Sequence, residues 1–204
     1  SRAYVDFTQG PSWTNYATQS QNIDEDGNRM DAAIYNEDGV DTGYRIAEYR
    51  EGIYNGYRYY ETAYADAAED EKEEAYSNVL YPFGYGLSYT NFDWELVDTE
   101  TTGTIDDRTD TISVSVKVTN TGDTAGKDVV ELYSNPPYTK DGIEKAAANL
   151  VGFAKTDLLA PGESQIVTIS VVAQDLASFD WDDKNGNGFS GYELEAGDYI
   201  FNIN

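Results

Sequence analysis

Residues 183–194 carry the most specific chemical signal in the chain. Oxygen-bearing side chains fall at alternate positions, Asp183, Asn185 and Asn187, in a run that ends at Phe189, with Gly188 sixth to permit a sharp turn. This spacing is that of the first half of an EF-hand-type loop, in which hard oxygen donors wrap a calcium ion. The twelfth place, where a bidentate glutamate belongs, is Leu194, with Glu193 and Glu195 one step to either side and Asp180 and Asp182 near enough to compensate. The same residues also make an ion-free hairpin loop of Asx turns and glycines, and the displaced glutamate favours that form. A weaker copy starts at Asn22, with Asp24, Asp26 and Gly27 following and Ala33 twelfth. No cofactor is required by the sequence. A structural Ca²⁺ at Asp183, Asn185, Asn187 and Phe189 is the one ion the pattern allows, and it would raise the melting temperature while EDTA lowered it.

Other chemistries are restricted by what is missing. The 204 residues contain no histidine and no cysteine, which removes the commonest general base, the commonest metal ligand, thiol nucleophiles and disulfides. A Ser-His-Asp hydrolase or a zinc hydrolase within these residues is thereby excluded, leaving carboxylates, tyrosines and lysines. With 38 acidic residues, close carboxylate pairs arise by coincidence, and none stands in a catalytic motif, so no residue is nominated as catalytic. The net charge of −25, from 38 acidic and 13 basic side chains, describes a well-solvated surface and opposes binding to nucleic acid or an anionic membrane. No apolar run approaches the ~20 residues of a membrane span, and no signal peptide opens the chain. The start at Ser1-Arg2 reads as an internal cut in a longer polypeptide, or a processed one.

A third set of residues is aromatic. Tyr54, Tyr57, Tyr59, Tyr60, Tyr81, Phe83, Tyr85 and Tyr89 crowd into a short stretch around Arg58. Such rings suit either sugar stacking or packing between domains, because they bury much area while a phenol still finds a partner. Packing is the favoured role for Tyr54, Tyr57, Arg58, Tyr59, Tyr60, Tyr81, Phe83 and Tyr85, since an exposed apolar patch needs an owner. Arg58 is placed to stack on the rings or to form a buried ion pair.

The elements that position these residues differ between the two halves. Of the 18 tyrosines, 13 precede residue 88, and beyond it the chain becomes short alternating strands broken by Gly, Asn, Asp and Pro. The boundary is expected at 87–90, giving an arm over 1–88 and a domain over 89–204. Residues 89–97 alternate Phe92, Trp94 and Leu96 on one face, and 111–119 alternate Ile112, Val114, Val116 and Val118 against polar neighbours. Period-two alternation marks half-buried strands. Further strands are expected at 127–134 with Val130 and Leu132 inward, at 150–159, at 164–172, and at 197–204 with Tyr199, Phe201 and Ile203 on one face. Six or seven short strands with turn signals between them predict an immunoglobulin-like β-sandwich. In the front half, 1–8 reads as a strand, 22–42 as acidic loop, 57–68 as a helical turn or two, and 66–74 as a solvated loop or helix end. This half shows no core of its own and reads as an incomplete domain.

Three stretches, in order, resemble the glycoside hydrolases of family 3, the β-glucosidase-like family. Residues 51–61 read EGIYNGYRYYE and 81–90 read YPFGYGLSYT, the pair found where the family's α/β sandwich domain hands over to its fibronectin-III-like domain. Residues 118–133 read VTNTGDTAGKDVVELY, ending at Pro136-Pro137. Then come LVGFAKT at 150–156, LAPGES at 159–164 and LEAGDY at 194–199. The opening 2–15 is similar to the segment before the linker in some bacterial members, while 22–45 and 65–77 look like insertions. The resemblance implies a mainly β fold: a fibronectin-III-like sandwich preceded by an irregular arm that completes an α/β sandwich domain. It also implies a parent enzyme that removes terminal β-linked glucose, or a related sugar, with retention. That chemistry needs two carboxylates ~5–5.5 Å apart. In the family the nucleophile comes from the TIM barrel, which stands before or after this segment, and the acid/base from the α/β sandwich upstream of the part present here; neither motif occurs in this chain.

The expected partners are therefore the barrel and α/β sandwich domains of the same enzyme, its β-glucoside or oligosaccharide substrate, and possible second copies in a homodimer. The competing readings are a free-standing carbohydrate-binding module and a calcium-stabilised structural spacer. A bacterial cytoplasm and a bacterial secreted enzyme suit the absence of cysteine equally.

Overall fold

The computed structural model of the chain describes residues 3–4, 21–23, 29–31, 33–35, 41–45, 52–77, 79–99 and 105–204. Contacts divide it into two units, Ser1–Phe83 and Gly84–Asn204. The division falls a few residues before the expected 88/89 boundary.

The first unit holds short antiparallel pairs and two helices. Strand β1 (Ala3–Tyr4) pairs with β6 (Val79–Tyr81), and β2 (Gln21–Ile23) pairs with β3 (Arg29–Asp31). Strand β4 (Ala33–Tyr35) pairs with β5 (Asp41–Arg45). The stretch 22–42, expected as loop, thus contains two hairpins. Its polar, acidic composition hid them, because a strand needs backbone pairing more than it needs apolar side chains.

Helix α1 (Tyr57–Asp66) is longer than the turn or two expected, and α2 (Lys72–Tyr76) follows it. Tyr57, Tyr60 and Tyr64 recur at i, i+3 and i+7, which sets one aromatic stripe along α1. Among the described residues of this unit, Tyr60 is the buried apolar side chain, 2% exposed. The ring of Tyr64 meets that of Tyr76 edge-on at 5.8 Å, and the Tyr76 hydroxyl donates to Glu61 at 2.8 Å, tying the two helices together. Among the described residues no helix is long and apolar enough to cross a membrane.

The second unit is the sandwich. Its strands are β7 (Phe92–Thr99), β8 (Thr111–Asn120), β9 (Val129–Asn135), β10 (Asn149–Lys155), β11 (Ser164–Val172), β12 (Ser178–Asp180), β13 (Gly191–Glu193) and β14 (Ile200–Ile203). One sheet has the order β11-β8-β7, the other β10-β9-β14, and β12-β13 form a separate hairpin. All pairings are antiparallel. The core takes the alternating positions read in the sequence, Ile112, Val114, Val116 and Val118 of β8 and Val130 and Leu132 of β9, together with Val167, Ile169 and Val171 of β11. Tyr199, Phe201 and Ile203 pack against it from β14 and its approach.

Two details tune this packing. Phe92 and Trp94 reach the core, but Leu96 stays 54% exposed, where the register of edge strand β7 with β8 shifts between Leu96 and Asp98. At Gly152 a Cβ would come within 2.5 Å of the Ile169 side chain, so β10 approaches the opposite sheet more closely than any side chain allows.

Polar groups pin the sandwich ends. Asn120 is fully buried: its Oδ1 accepts from the Thr90 hydroxyl at 2.6 Å and from Gly122 N at 3.1 Å, while its amide donates to Thr124 O at 2.8 Å and Leu159 O at 2.9 Å. The indole of Trp94 donates to Asp128 at 2.7 Å, and the buried Thr156 hydroxyl accepts from Asp128 N. The turn expected at 160–163 closes by Glu163 N donating to Ala160 O at 2.9 Å, with Gly162 at φ 80°.

Candidate functional site

The 183–189 loop joins β12 to β13, so its side chains project from the tip of a two-stranded hairpin. Asp183 takes a positive φ of 49°, and Gly186 and Gly188 take 71° and 85°, the left-handed turns that glycine makes readily. The Asp183 carboxylate accepts from Gly188 N at 3.0 and 3.1 Å. Asn185 Oδ1 accepts from Asn187 N at 3.1 Å, and Asn187 Oδ1 from Phe189 N at 2.8 Å. Both amide groups donate to Oε2 of Glu193. Every oxygen-bearing side chain of the run is thus engaged in closing the hairpin, by the Asx chemistry weighed above. The Phe189 ring lies against the backbone of Gly191, where any Cβ would collide with it.

Beneath the loop, Asp180 is buried and Glu193 contributes a buried Oε1 with no hydrogen-bond partner. Burial opposes ionisation of Asp180, but the backbone N–H groups of Lys184, Asp182 and Asn185, with the Lys184 charge, hold its carboxyl below the usual carboxylate range. Among the described residues no group of three or more acidic side chains is arranged to hold a metal ion. The weaker copy at 22–33 has its key residues Asp24 and Asp26 outside the described residues.

The aromatic set makes ring contacts among the described residues. Tyr57 stacks at a tilt on Phe83 at 4.8 Å, with the Arg58 guanidinium 5.8 Å from the Tyr57 ring. The Arg58 Nε is buried without a hydrogen-bond partner. Tyr59 meets the buried Tyr60 edge-on at 5.1 Å and is itself exposed, as are Tyr81 and Tyr85, while Tyr54 is half-buried. Tyr60 is therefore already buried within the chain.

Three features were not singled out from the sequence. The first is a further set of exposed rings on the hairpin: Phe179 and Tyr192 face each other across β12-β13 at 5.1 Å, and Trp181 carries Lys184 at 5.5 Å over its ring. The second is the buried Lys145, which donates to Pro137 O at 2.6 Å and pairs with Glu195, locking the 136–148 loop to the approach to β14. Nothing in the sequence distinguishes Lys145 from a surface lysine. The third is the close approach to the Glu131 carboxylate of β9 made by Gly84, a glycine that suits a tight turn and takes φ 82°; a Cβ there would fall 2.6 Å from Oε2. Glu131 in turn accepts from the Tyr133 hydroxyl at 2.7 Å.

Comparison with known proteins accords with this architecture. The model of a fibronectin type III-like domain matches residues 128–204. A β-glucosidase of Ruminococcus albus is 42% identical over 153 residues, 75% of this chain and 14% of its own length. The crystal structure of a β-glucosidase from Paenibacillus barengoltzii superposes with a TM-score of 0.72 and 35% identity, covering 99% of this chain and 18% of that one. A GH3 β-glucosidase of Bifidobacterium adolescentis gives a TM-score of 0.65 at 27% identity, over 99% of this chain and 23% of its own. The chain thus spans less than a quarter of each relative. It resembles one segment of the β-glucosidases of glycoside hydrolase family 3, the segment that includes the fibronectin type III-like domain.

Proposed function

We propose that the chain is the non-catalytic part of a retaining, exo-acting β-glucosidase-type enzyme, one that hydrolyses terminal β-linked glucose or a related sugar. The observation that carries this reading is its similarity, over three quarters of its residues, to a β-glucosidase of which it spans 14%. A chain without histidine, in which no family carboxylate motif occurs, supports a bracing role rather than a chemical one. Such bracing matters because the two carboxylates come from different domains, and catalysis falls steeply when reacting groups are misplaced by about 1 Å. The sandwich and its arm hold the barrel and the α/β sandwich in register, and contribute to any homodimer contact.

Activity separates this reading from its rivals. The 204-residue chain alone leaves an aryl β-glucoside untouched, whereas the longer polypeptide that contains it hydrolyses the same substrate. Hydrolysis by the chain alone, or none by the longer polypeptide, removes the proposal. A second reading, a carbohydrate-binding module, is favoured by the exposed Phe179, Trp181 and Tyr192 of the hairpin. It predicts that the chain itself is retained on an insoluble β-glucan and that Trp181→Ala abolishes retention.

A further inference from the structure

The β12-β13 hairpin is built the reverse way round. In an antiparallel pair with one face against the protein, apolar side chains turn in and polar ones turn out. Here the register sets Phe179 opposite Tyr192 on one face, and Ser178 opposite Glu193 and Asp180 opposite Gly191 on the other. The polar face is the inward one: Asp180 is 1% exposed, and Glu193 has its Oε1 buried. The aromatic face is the outward one, with Phe179 50% and Tyr192 75% exposed, and Trp181, two residues past Phe179, 64% exposed. Folding leaves these rings in water, a poor permanent neighbour for apolar surface, and a group of them marks a site of interaction.

The hairpin is fastened through its polar side. Asp180 accepts from Asp182 N at 3.1 Å and from Asn185 N at 3.4 Å, and Glu193 Oε2 accepts from the amides of Asn185 and Asn187. The rings thus stand on a preformed frame, and a ligand that covers them has little left to order. Beside them Lys184 lies 5.5 Å over the Trp181 ring and pairs with Asp182 at 3.2 Å. The two charges cancel, so the strip presents no net charge, and lysine and aspartate are depleted at the centre of protein–protein contacts. A pyranose suits such a strip: its C–H face lies on a ring while its hydroxyls reach polar groups at the rim.

We infer that Phe179, Trp181 and Tyr192 form a holding site for an uncharged β-linked glucan chain, and that it gives the parent enzyme a preference for polymer over small glucosides. A net charge of −25 disfavours an anionic glycan. The relatives are β-glucosidases, so a β-linked glucan is the neutral polymer whose ends such an enzyme would use. Holding the polymer raises the effective concentration of its chain ends, as a tether does, whereas a small aryl β-glucoside gains nothing from it. This inference rests on the parent-enzyme reading for the identity of the sugar, and it adds a substrate preference that the reading does not contain.

Glucose release from insoluble β-glucan by the longer polypeptide, measured against its hydrolysis of an aryl β-glucoside, tests it. Trp181→Ala and Tyr192→Ala are expected to lower the ratio of the two rates several-fold and to weaken retention on the β-glucan in step. Trp181→Phe and Tyr192→Phe, which keep a ring, retain most of both. Phe153→Ala, which removes an exposed ring from β10 instead, leaves the ratio as it was. An unchanged ratio and unchanged retention in both alanine variants would overturn the inference. So would retention that soluble cello-oligosaccharide does not compete, which is mere adhesion of exposed rings. Alanine variants that lower the melting temperature by several degrees without weakening retention would also overturn it, since the rings would then belong to packing. Hydrolysis of the aryl β-glucoside separates the two claims: its absence from the unmodified longer polypeptide sinks the parent-enzyme reading, whereas hydrolysis without retention sinks only the holding site.

Discussion

Replacing Asn120 by alanine tests whether the sandwich end is held as the hydrogen bonds indicate. The side chain is fully buried and makes four bonds, accepting from the Thr90 hydroxyl and Gly122 N and donating to the carbonyls of Thr124 and Leu159. At about 1 kcal/mol net for each bond, the loss is about 4 kcal/mol, because the partners are left in an interior that offers them no replacement. The entropy of unfolding for a unit of roughly 120 residues is about 0.25 kcal/mol per degree, so the melting temperature falls by about 15 °C. Thr90→Val removes one of the four bonds and costs about 1 kcal/mol. Asn120→Asp keeps the acceptor but sets a carboxylate against two carbonyl oxygens, and is expected to be no better than alanine. Urea unfolding followed through the far-ultraviolet signal gives each value, with the denaturant slope checked for constancy. A loss below about 1 kcal/mol for Asn120→Ala, at unchanged slope, would show that the node is not shut off from water, and would refute the reasoning.

Further outcomes follow from single contacts. Gly84→Ala forces an alanine to φ 82° and drives its Cβ into the Glu131 carboxylate, costing about 1–3 kcal/mol, and Glu131→Ala in the same chain returns part of the loss; equal costs in both backgrounds would discard the clash. Burial, then the Glu195 charge, raises the Tyr199 phenol above its ordinary range. The folded state therefore keeps this proton at pH values where the unfolded state has lost it, and stability drains away as pH rises beyond about 10. Tyr199→Phe flattens that alkaline limb, and an unchanged limb in equilibrium unfolding would count against it. For the 183–194 loop, whose oxygens are engaged by the hairpin's own N–H groups, millimolar Ca²⁺ and EDTA are both expected to leave the melting temperature unchanged. A rise with Ca²⁺ that EDTA reverses would establish the calcium loop instead.

Much of the sandwich was legible because alternation in a half-buried strand is a local property. Ile112, Val114, Val116 and Val118 announce their buried face by spacing alone, and so do Val130 and Leu132. Leu96 shows the limit of that rule, since alternation says which face a residue occupies but not whether the opposite sheet covers it. The hairpins of 22–42 escaped because their pairing is carried by backbone groups common to every residue type.

What the residues determined by themselves was the class of chemistry open to the chain. Without histidine or cysteine, and with 38 acidic side chains, neither imidazole nor thiol chemistry was available, and the ordered motifs tied the remainder to a known architecture. Only the tertiary structure decided which groups were spent. It turned Tyr60 inward and left Leu87 and Tyr89 in water, made Lys145 a buried partner of Glu195, and set Asp183, Asn185 and Asn187 to closing their own loop. Those outcomes depend on which distant segments arrive beside a residue, such as Glu131 at Gly84 or Ile169 at Gly152. Burial and hydrogen bonding are properties of that company, and neighbours along the chain do not encode it locally.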